Sequence, residues 1–325
     1  EMSNTARLKE AAECERKAED CMKTSMIKLK FKPDFDGAAS AMERASVCYR
    51  NAQDPKKAAG SLLKAAEYYE QNRNLFHAAK AREGAAMLLR DIKEFSEAVV
   101  LFEKAINGYA ESGSLDTAAM TVEKAADVLK NDNPKEALQI YQRGLALVQQ
   151  SDRAKMASNF LKQITKLSLQ LTDYKGALGS IREEIEKFAE IREYPRIGQL
   201  GIGLVIVNLA LEDSVAALKD YGWVICFCTL ADPFVGLPDY KLQKIISRPK
   251  CQSPDFQTSE DGRVCENLIG FYEAGDDESF QNVLKCGALR SMDNEYLRVM
   301  KILKAPSGNA GLGDGQEDDD DEGLC

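Results

Sequence analysis

The chain has 325 residues, with 43 Lys and Arg against 52 Asp and Glu, and a formal net charge of −9. Hydrophobic residues make up 44% and charged residues 29%, enough apolar material for a real core, so wholesale disorder is excluded and the length admits two average domains or one elongated array of repeats. No run approaches the roughly eighteen apolar residues of a membrane span. The N-terminal stretch is dense in charge where a secretory signal needs an apolar run, and nine cysteines form no framework of spacings. Reduced thiols and a cytoplasmic location are therefore expected.

The first unusual segment is MKTSMIKLKFKP, residues 22 to 33. Met22, Met26, Ile27, Leu29 and Phe31 alternate there with Lys23, Lys28, Lys30 and Lys32, and no acid intervenes. Such a stretch is either a buried first helix or a lip on an anionic membrane surface.

Behind it begins an internal repeat. A small residue recurs about every twenty positions: Ala38, Ala58, Ala78, Ala98, Ala118, Ala137, Ala157, Ala177 and Ala217, with Ile197 in the missing place. Four residues before most anchors stands a helix N-cap: Asp34, Asp54, Asn74, Ser114, Asn133, Asp173 and Asp213, with Glu94 a weak substitute. Pro55 and Pro134 occupy first helical positions, where a missing N–H costs nothing. Alanine often returns seven residues on, and larger apolar groups at plus four (Met42, Leu62, Phe102, Val122, Tyr141, Leu161) complete one helical face. The pattern predicts antiparallel helical hairpins of about forty residues, longer than tetratricopeptide units, stacked into an all-α, tetratricopeptide-like right-handed superhelix.

The period stops near Trp223. Four prolines between 225 and 255 mark an irregular connection or insertion. Helices are expected again over Ser259 to Ala274, Asp277 to Gly287 and Asp293 to Lys304 as a small C-terminal bundle. The expected organisation is thus a twisted sheet of hairpins over 1–224, a connection over 225–255, a helical bundle over 256–304 and a disordered acidic tail over 305–325. That tail holds seven acids (Asp314, Glu317, Asp318, Asp319, Asp320, Asp321, Glu322) and no base, leaving −2 for the rest. A basic protein partner suits it, whereas nucleic acid, which needs a basic surface to release counterions, does not.

Catalytic patterns are weak. The single histidine, His77, stands in the first turn after Asn74 and reads as a solvated side chain. Gly201-Ile202-Gly203 lacks the strand-to-helix setting of a phosphate loop and reads as packing or linker glycines. Cys226 and Cys228 have no second pair to complete a zinc site. No enzyme, metal or cofactor is expected.

Several strings carry a family resemblance: KPDFDGAAS (32–40), NRNLFHAAKA (72–81), DTAAMTVEKA (116–125), SMDNEYL (291–297) and the ending Gly323-Leu324-Cys325. With the forty-residue hairpins and the lysine-rich apolar stretch, the chain resembles the soluble NSF attachment proteins, in particular their gamma form, over residues 8 to 223 and 253 to 304. The resemblance implies a non-enzymatic adaptor that binds SNARE four-helix bundles, recruits the ATPase NSF and stimulates the ATP hydrolysis that pulls the bundle apart, peripherally on the cytosolic face of membranes. It implies a membrane lip at Met26, Ile27, Leu29 and Phe31, with Lys23, Lys28, Lys30 and Lys32 around them. It implies NSF contacts at Glu273, Asp276, Asp277, Glu278 and the penultimate Leu324. Of the family's SNARE-facing lysines it leaves Lys162, two others being replaced by Met120 and Ser158. The alternative is a generic tetratricopeptide-like scaffold that clamps a peptide tail.

Overall fold

The computed structural model describes residues 4–24, 32–149, 153–191, 193–229 and 256–306, without the side chains of Tyr194 and of residues 226–229. All regular structure among the described residues is helical. The chain divides into two compact units at Arg192/Glu193.

Among the described residues the first unit contains nine helices: α1 Asn4–Met22, α2 Phe35–Asn51, α3 Pro55–Gln71, α4 Leu75–Asp91, α5 Phe95–Glu111, α6 Leu115–Leu129, α7 Pro134–Gln149, α8 Ala154–Gln170 and α9 Tyr174–Glu190. The twenty-residue period is the reason they form a stack. Each anchor alanine in this unit is at most 1% exposed, so each helix presents its smallest side chain where neighbouring axes come closest. Between them pack Phe102, Val122, Phe160 and Leu161. Gly144 on α7 marks a close approach, because a Cβ there would stand 2.6 Å from Val122 and 3.1 Å from Phe160.

Caps and turns repeat with the same period. Asp34, Asp54 and Asp173 accept from the N–H of Gly37, Lys57 and Gly176 at 2.8, 3.1 and 3.0 Å. Ser114 and Glu94 make no such bond from their side chains. One residue before most caps the backbone turns left-handed, at Gln53, Arg73, Lys93, Gly113 and Thr172. There the next N–H reaches back into the finished helix, as Asp54 N–H does to Tyr49 C=O at 3.0 Å.

Polar pairs about forty residues apart link alternate helices, which therefore share a layer. Lys56 on α3 pairs with Glu94 at the start of α5 at 2.9 Å. Arg143 on α7 pairs with Glu103 on α5. Arg153, at the N-terminus of α8, grips Asp116 on α6 through Nε at 2.9 Å and Nη2 at 3.3 Å. Glu83 on α4 accepts from Tyr109 Oη at 2.7 Å and Lys124 Nζ at 2.5 Å, joining three successive helices at one carboxylate. Burial and this bond push the Tyr109 phenol up.

The second unit contains α10 Tyr194–Ala210, α11 Ser214–Thr229, a 3₁₀ turn Phe256–Thr258, α12 Glu260–Ala274, α13 Asp277–Leu284, the single turn α14 Gly287–Arg290 and α15 Asn294–Ile302. Its core helix is α10, which packs against α11, α12 and α15 and buries Ile197, Leu204, Val205, Ile206 and Val207. Gly201 and Gly203 let Val224 and Tyr296 approach, since a Cβ on either would meet them at 3.0 and 2.8 Å. Both are packing glycines. The division at Glu193 precedes the loss of sequence period at 224 because α10 and α11 keep the twenty-residue spacing while belonging to the bundle. Ala305, assigned by composition to the tail, is only 8% exposed.

Candidate functional site

Three surfaces gather the residues singled out from sequence. The first surrounds the lysine-rich stretch. Helix α1 ends at Met22, and the N–H of Asp34 donates to the carbonyl of Cys21 at 3.0 Å. This bond pins the two described stems of the stretch, residues 21–24 and 32–34, to each other. Lys23 and Lys32 are exposed on these two stems. The Asp20 carboxylate, 2.9 Å from Lys23 Nζ, raises the lysine's pKa. Met26, Ile27, Lys28, Leu29, Lys30 and Phe31 lie outside the described residues.

Helix α8 forms the second. Lys155, Asn159, Lys162 and Lys166 follow one another at intervals of four, three and four, a single helical stripe, and α8 contains no acid. Lys162 is exposed, as expected. Ser158, by contrast, is 3% exposed and donates to Glu184 Oε1 on α9 at 3.3 Å. A lysine there would point into the helix interface, so Ser158 is a packing residue. Met120 on α6 stands 58% exposed, the most exposed of the large apolar side chains described in the first unit.

The third surface is the corner where α12 turns into α13. Gly275, left-handed with φ 69°, ends α12 and brings Glu273 of the last turn beside the start of the next helix. Asp276 caps α13, accepting from Ser279 N–H at 3.0 Å. The Ser279 side chain first, and then this N–H, lower its carboxyl pKa by hydrogen bonding to the ionised form. Glu273, Asp276 and Glu278 are exposed. Asp277 is half-buried and differently employed: its Oδ1 accepts from Ala305 N–H at 2.9 Å and from Gln281 Nε2 at 3.3 Å. Gln281 Nε2 also donates to Leu303 C=O at 2.9 Å. Together they clasp the chain after α15 at Leu303 and Ala305, beside the acidic corner. Sequence reasoning missed Gln281 altogether, there being no local signal for a partner twenty-two residues away. Leu324 lies outside the described residues.

Residues 7–192 match the model of the family described as soluble NSF attachment protein. The gamma-soluble NSF attachment protein of Dictyostelium discoideum is 22% identical over 275 residues, spanning 85% of this chain and 77% of the relative. That of Arabidopsis thaliana is 22% identical over 293 residues, spanning 88% and 89%. Among solved structures, BtubC from P. vanneervenii aligns with a TM-score of 0.37 at 15% identity, over 73% of this chain and 96% of that one. With its anchor-alanine stack lying inside the matched span, the chain belongs to the soluble NSF attachment protein family, and it is similar to the gamma form.

Proposed function

We propose that this protein is a SNARE adaptor for NSF: it grips an assembled SNARE bundle, recruits the ATPase and stimulates bundle disassembly in vesicle traffic. The observation that carries this reading is the family match over the helical stack, joined to a helix α8 whose exposed stripe is cationic without a single acid. An acidic helical bundle is the natural complement of that stripe. The acids at Glu273, Asp276 and Glu278 take a basic domain of the ATPase, and Leu324 acts on the same ATPase. The basic, apolar residues 23–32 rest on an anionic bilayer, placing the adaptor peripherally on the cytosolic side of membranes. ATP hydrolysis belongs to the partner and needs no catalytic group here.

Co-sedimentation tests the whole reading. NSF should be retained on immobilised SNARE complex only when this protein is present, and the complex should dissociate on addition of MgATP. Retention of NSF without the adaptor, or no capture of the adaptor by the SNARE complex, would sink it.

A further inference from the structure

Two cysteines on facing helices meet in the first hairpin. Helix α1 packs on α2, and the fully buried Ala11 and Ala45 let the two axes come close. Cys14 and Cys48 lie in the same buried cluster as these alanines, with Tyr49 and Ala58, and are 7% and 9% exposed. Cys48 faces a single turn of α1. Its thiol is within hydrogen-bonding reach of the Cys14 side chain and of the Glu10 carboxylate, and residues 10 and 14 share one helical face. Both flanks of the hairpin hold this register. Arg7 Nη1 donates to Asn51 C=O at 2.6 Å where α2 ends, and Asp34 N–H donates to Cys21 C=O at 3.0 Å where α2 is about to begin. Cys21 itself packs on a different cluster, around Ala18 and Ala38.

We propose that Cys14 and Cys48 form a reversible dithiol switch, which a hydroperoxide oxidises to a disulfide tying α1 to α2. One sulfur, as thiolate, attacks the peroxide O–O bond and becomes a sulfenic acid, and the alkoxide released takes up the thiol's proton. The second thiol then attacks that sulfur, the S–S bond forms, and water leaves. In sum two thiols and one hydroperoxide give one disulfide, one alcohol and one water, the thiols being oxidised and the peroxide reduced. The exposed Glu10 carboxylate accepts from Cys48 and offers its proton a path to solvent. Burial first, and then the Glu10 charge, push the Cys48 thiol up, so the pair rests as thiols and reacts slowly. It answers sustained oxidant rather than consuming peroxide as a catalyst. A bond between residues 14 and 48 encloses the lysine-rich stretch in a covalent ring and opposes any opening of α1 away from α2.

The test uses the whole protein, reduced, freed of reductant and exposed to hydrogen peroxide, then alkylated with iodoacetamide and digested with trypsin without reduction. Cys14 falls in the peptide Glu10–Arg16, Cys48 in Ala45–Arg50 and Cys21 in Ala18–Lys23, so the three are told apart by mass. The first two should appear linked, from protein that migrates as a monomer in a non-reducing gel, and dithiothreitol should return both thiols. Amide exchange in α1 should slow roughly tenfold on oxidation and recover on reduction, whereas in Cys14→Ser it should not respond to peroxide. The proposal is overturned if Cys48 links in preference to Cys21 or another cysteine, or if the link is confined to dimers. Sulfinic or sulfonic acid at Cys14 without the linked product, or both peptides staying alkylated while other thiols are consumed, overturns it equally. So does a parental exchange response in Cys14→Ser. Peptide mapping needs no variant, so the outcome does not depend on how well Cys14→Ser folds.

Discussion

The amide of Asp34 donates to the carbonyl of Cys21 at 3.0 Å, and this bond pins the end of α1 to the approach to α2 on either side of the lysine-rich stretch. With both flanks held by backbone, changes at Ile27 and Phe31 should leave the stack intact.

Ile27→Ser with Phe31→Ser should therefore reduce binding to vesicles of anionic lipid and slow disassembly of membrane-anchored SNARE complexes. Disassembly of soluble complexes should remain at the parental rate. The lysines each add about 1 kcal/mol near an anionic surface, so one copy binds weakly and several copies on one bundle bind well. Equal losses on anchored and soluble substrates, with a lowered melting temperature, would show instead that these side chains belong to the core.

The clasp around Ala305 separates two roles that a carboxylate can have. Asp277→Asn keeps an oxygen for the Ala305 N–H and removes the charge, whereas Asp277→Ala removes both. If the residue holds the root of the tail, amide hydrogen exchange at Ala305 should be slow in the parent, little changed in Asp277→Asn, and accelerated in Asp277→Ala by roughly tenfold, the worth of about 1 to 1.5 kcal/mol in one hydrogen bond. Unchanged exchange in Asp277→Ala would return the residue to the acidic contact surface.

Turn strain and close packing make opposite predictions for glycine in the helical stack. Thr172 is β-branched and sits at φ 58°, a region that favours glycine. Thr172→Gly should stabilise the protein by up to about 1 kcal/mol, the strain relieved outweighing the entropy added to the unfolded chain. Gly144→Ala should destabilise by about 1 to 3 kcal/mol, because the new methyl meets Val122 and Phe160. Urea unfolding of both variants measures the two shifts; a destabilised Thr172→Gly would show that the left-handed turn carries little strain.

Buried phenols contribute to the alkaline limb of stability, Tyr69 and Tyr141 among them. Burial, reinforced by Glu43, pushes Tyr69 up to about 12, and burial with Asp127 and Glu123 nearby does the same for Tyr141. Their ordinary value is 10.0. The folded chain keeps both neutral while the unfolded chain ionises, so their contribution to stability is full below pH 10 and is lost as pH rises toward about 12. Tyr141→Phe should flatten that decline in a melting-temperature series. A decline of parental steepness would place the sensitivity elsewhere.

The stack was legible because one physical requirement, close approach of helix axes, recurs every twenty residues and leaves a small residue each time. Even the irregular member obeys it: Ile197 is fully buried in its anchor place. Caps were legible in type, though Ser114 shows that a capping residue need not bond. What stayed hidden depends on pairs distant in sequence. Ser158 looks like any surface serine until Glu184 is seen against it, and nothing around Asp277 announces Ala305. The early start of the second unit left one readable sign. Residues 200–207 are apolar on every side of the helix, and a helix apolar all round is a core helix rather than a layer in a stack.

The acidic corner and the acidic tail on one side, and Leu324 on the other, should perform separable steps. Diffuse charge from the tail and from Glu273, Asp276 and Glu278 raises the encounter rate with a basic ATPase domain, but it has no shape with which to select one conformation of that domain. Leu324 has such a shape, and a ligand shifts an equilibrium only through differential affinity for its two states. Leu324→Ala should therefore leave recruitment of NSF to the SNARE complex nearly intact while removing most stimulation of ATP hydrolysis. Neutralising Asp318 to Asp321 should do the reverse, weakening recruitment at low salt more than turnover at saturating adaptor. Recruitment and ATPase rate measured side by side decide the matter: normal stimulation by Leu324→Ala would mean that the trigger lies within the folded bundle, and the exposed Glu273, Asp276 and Glu278 would be the residues to change next.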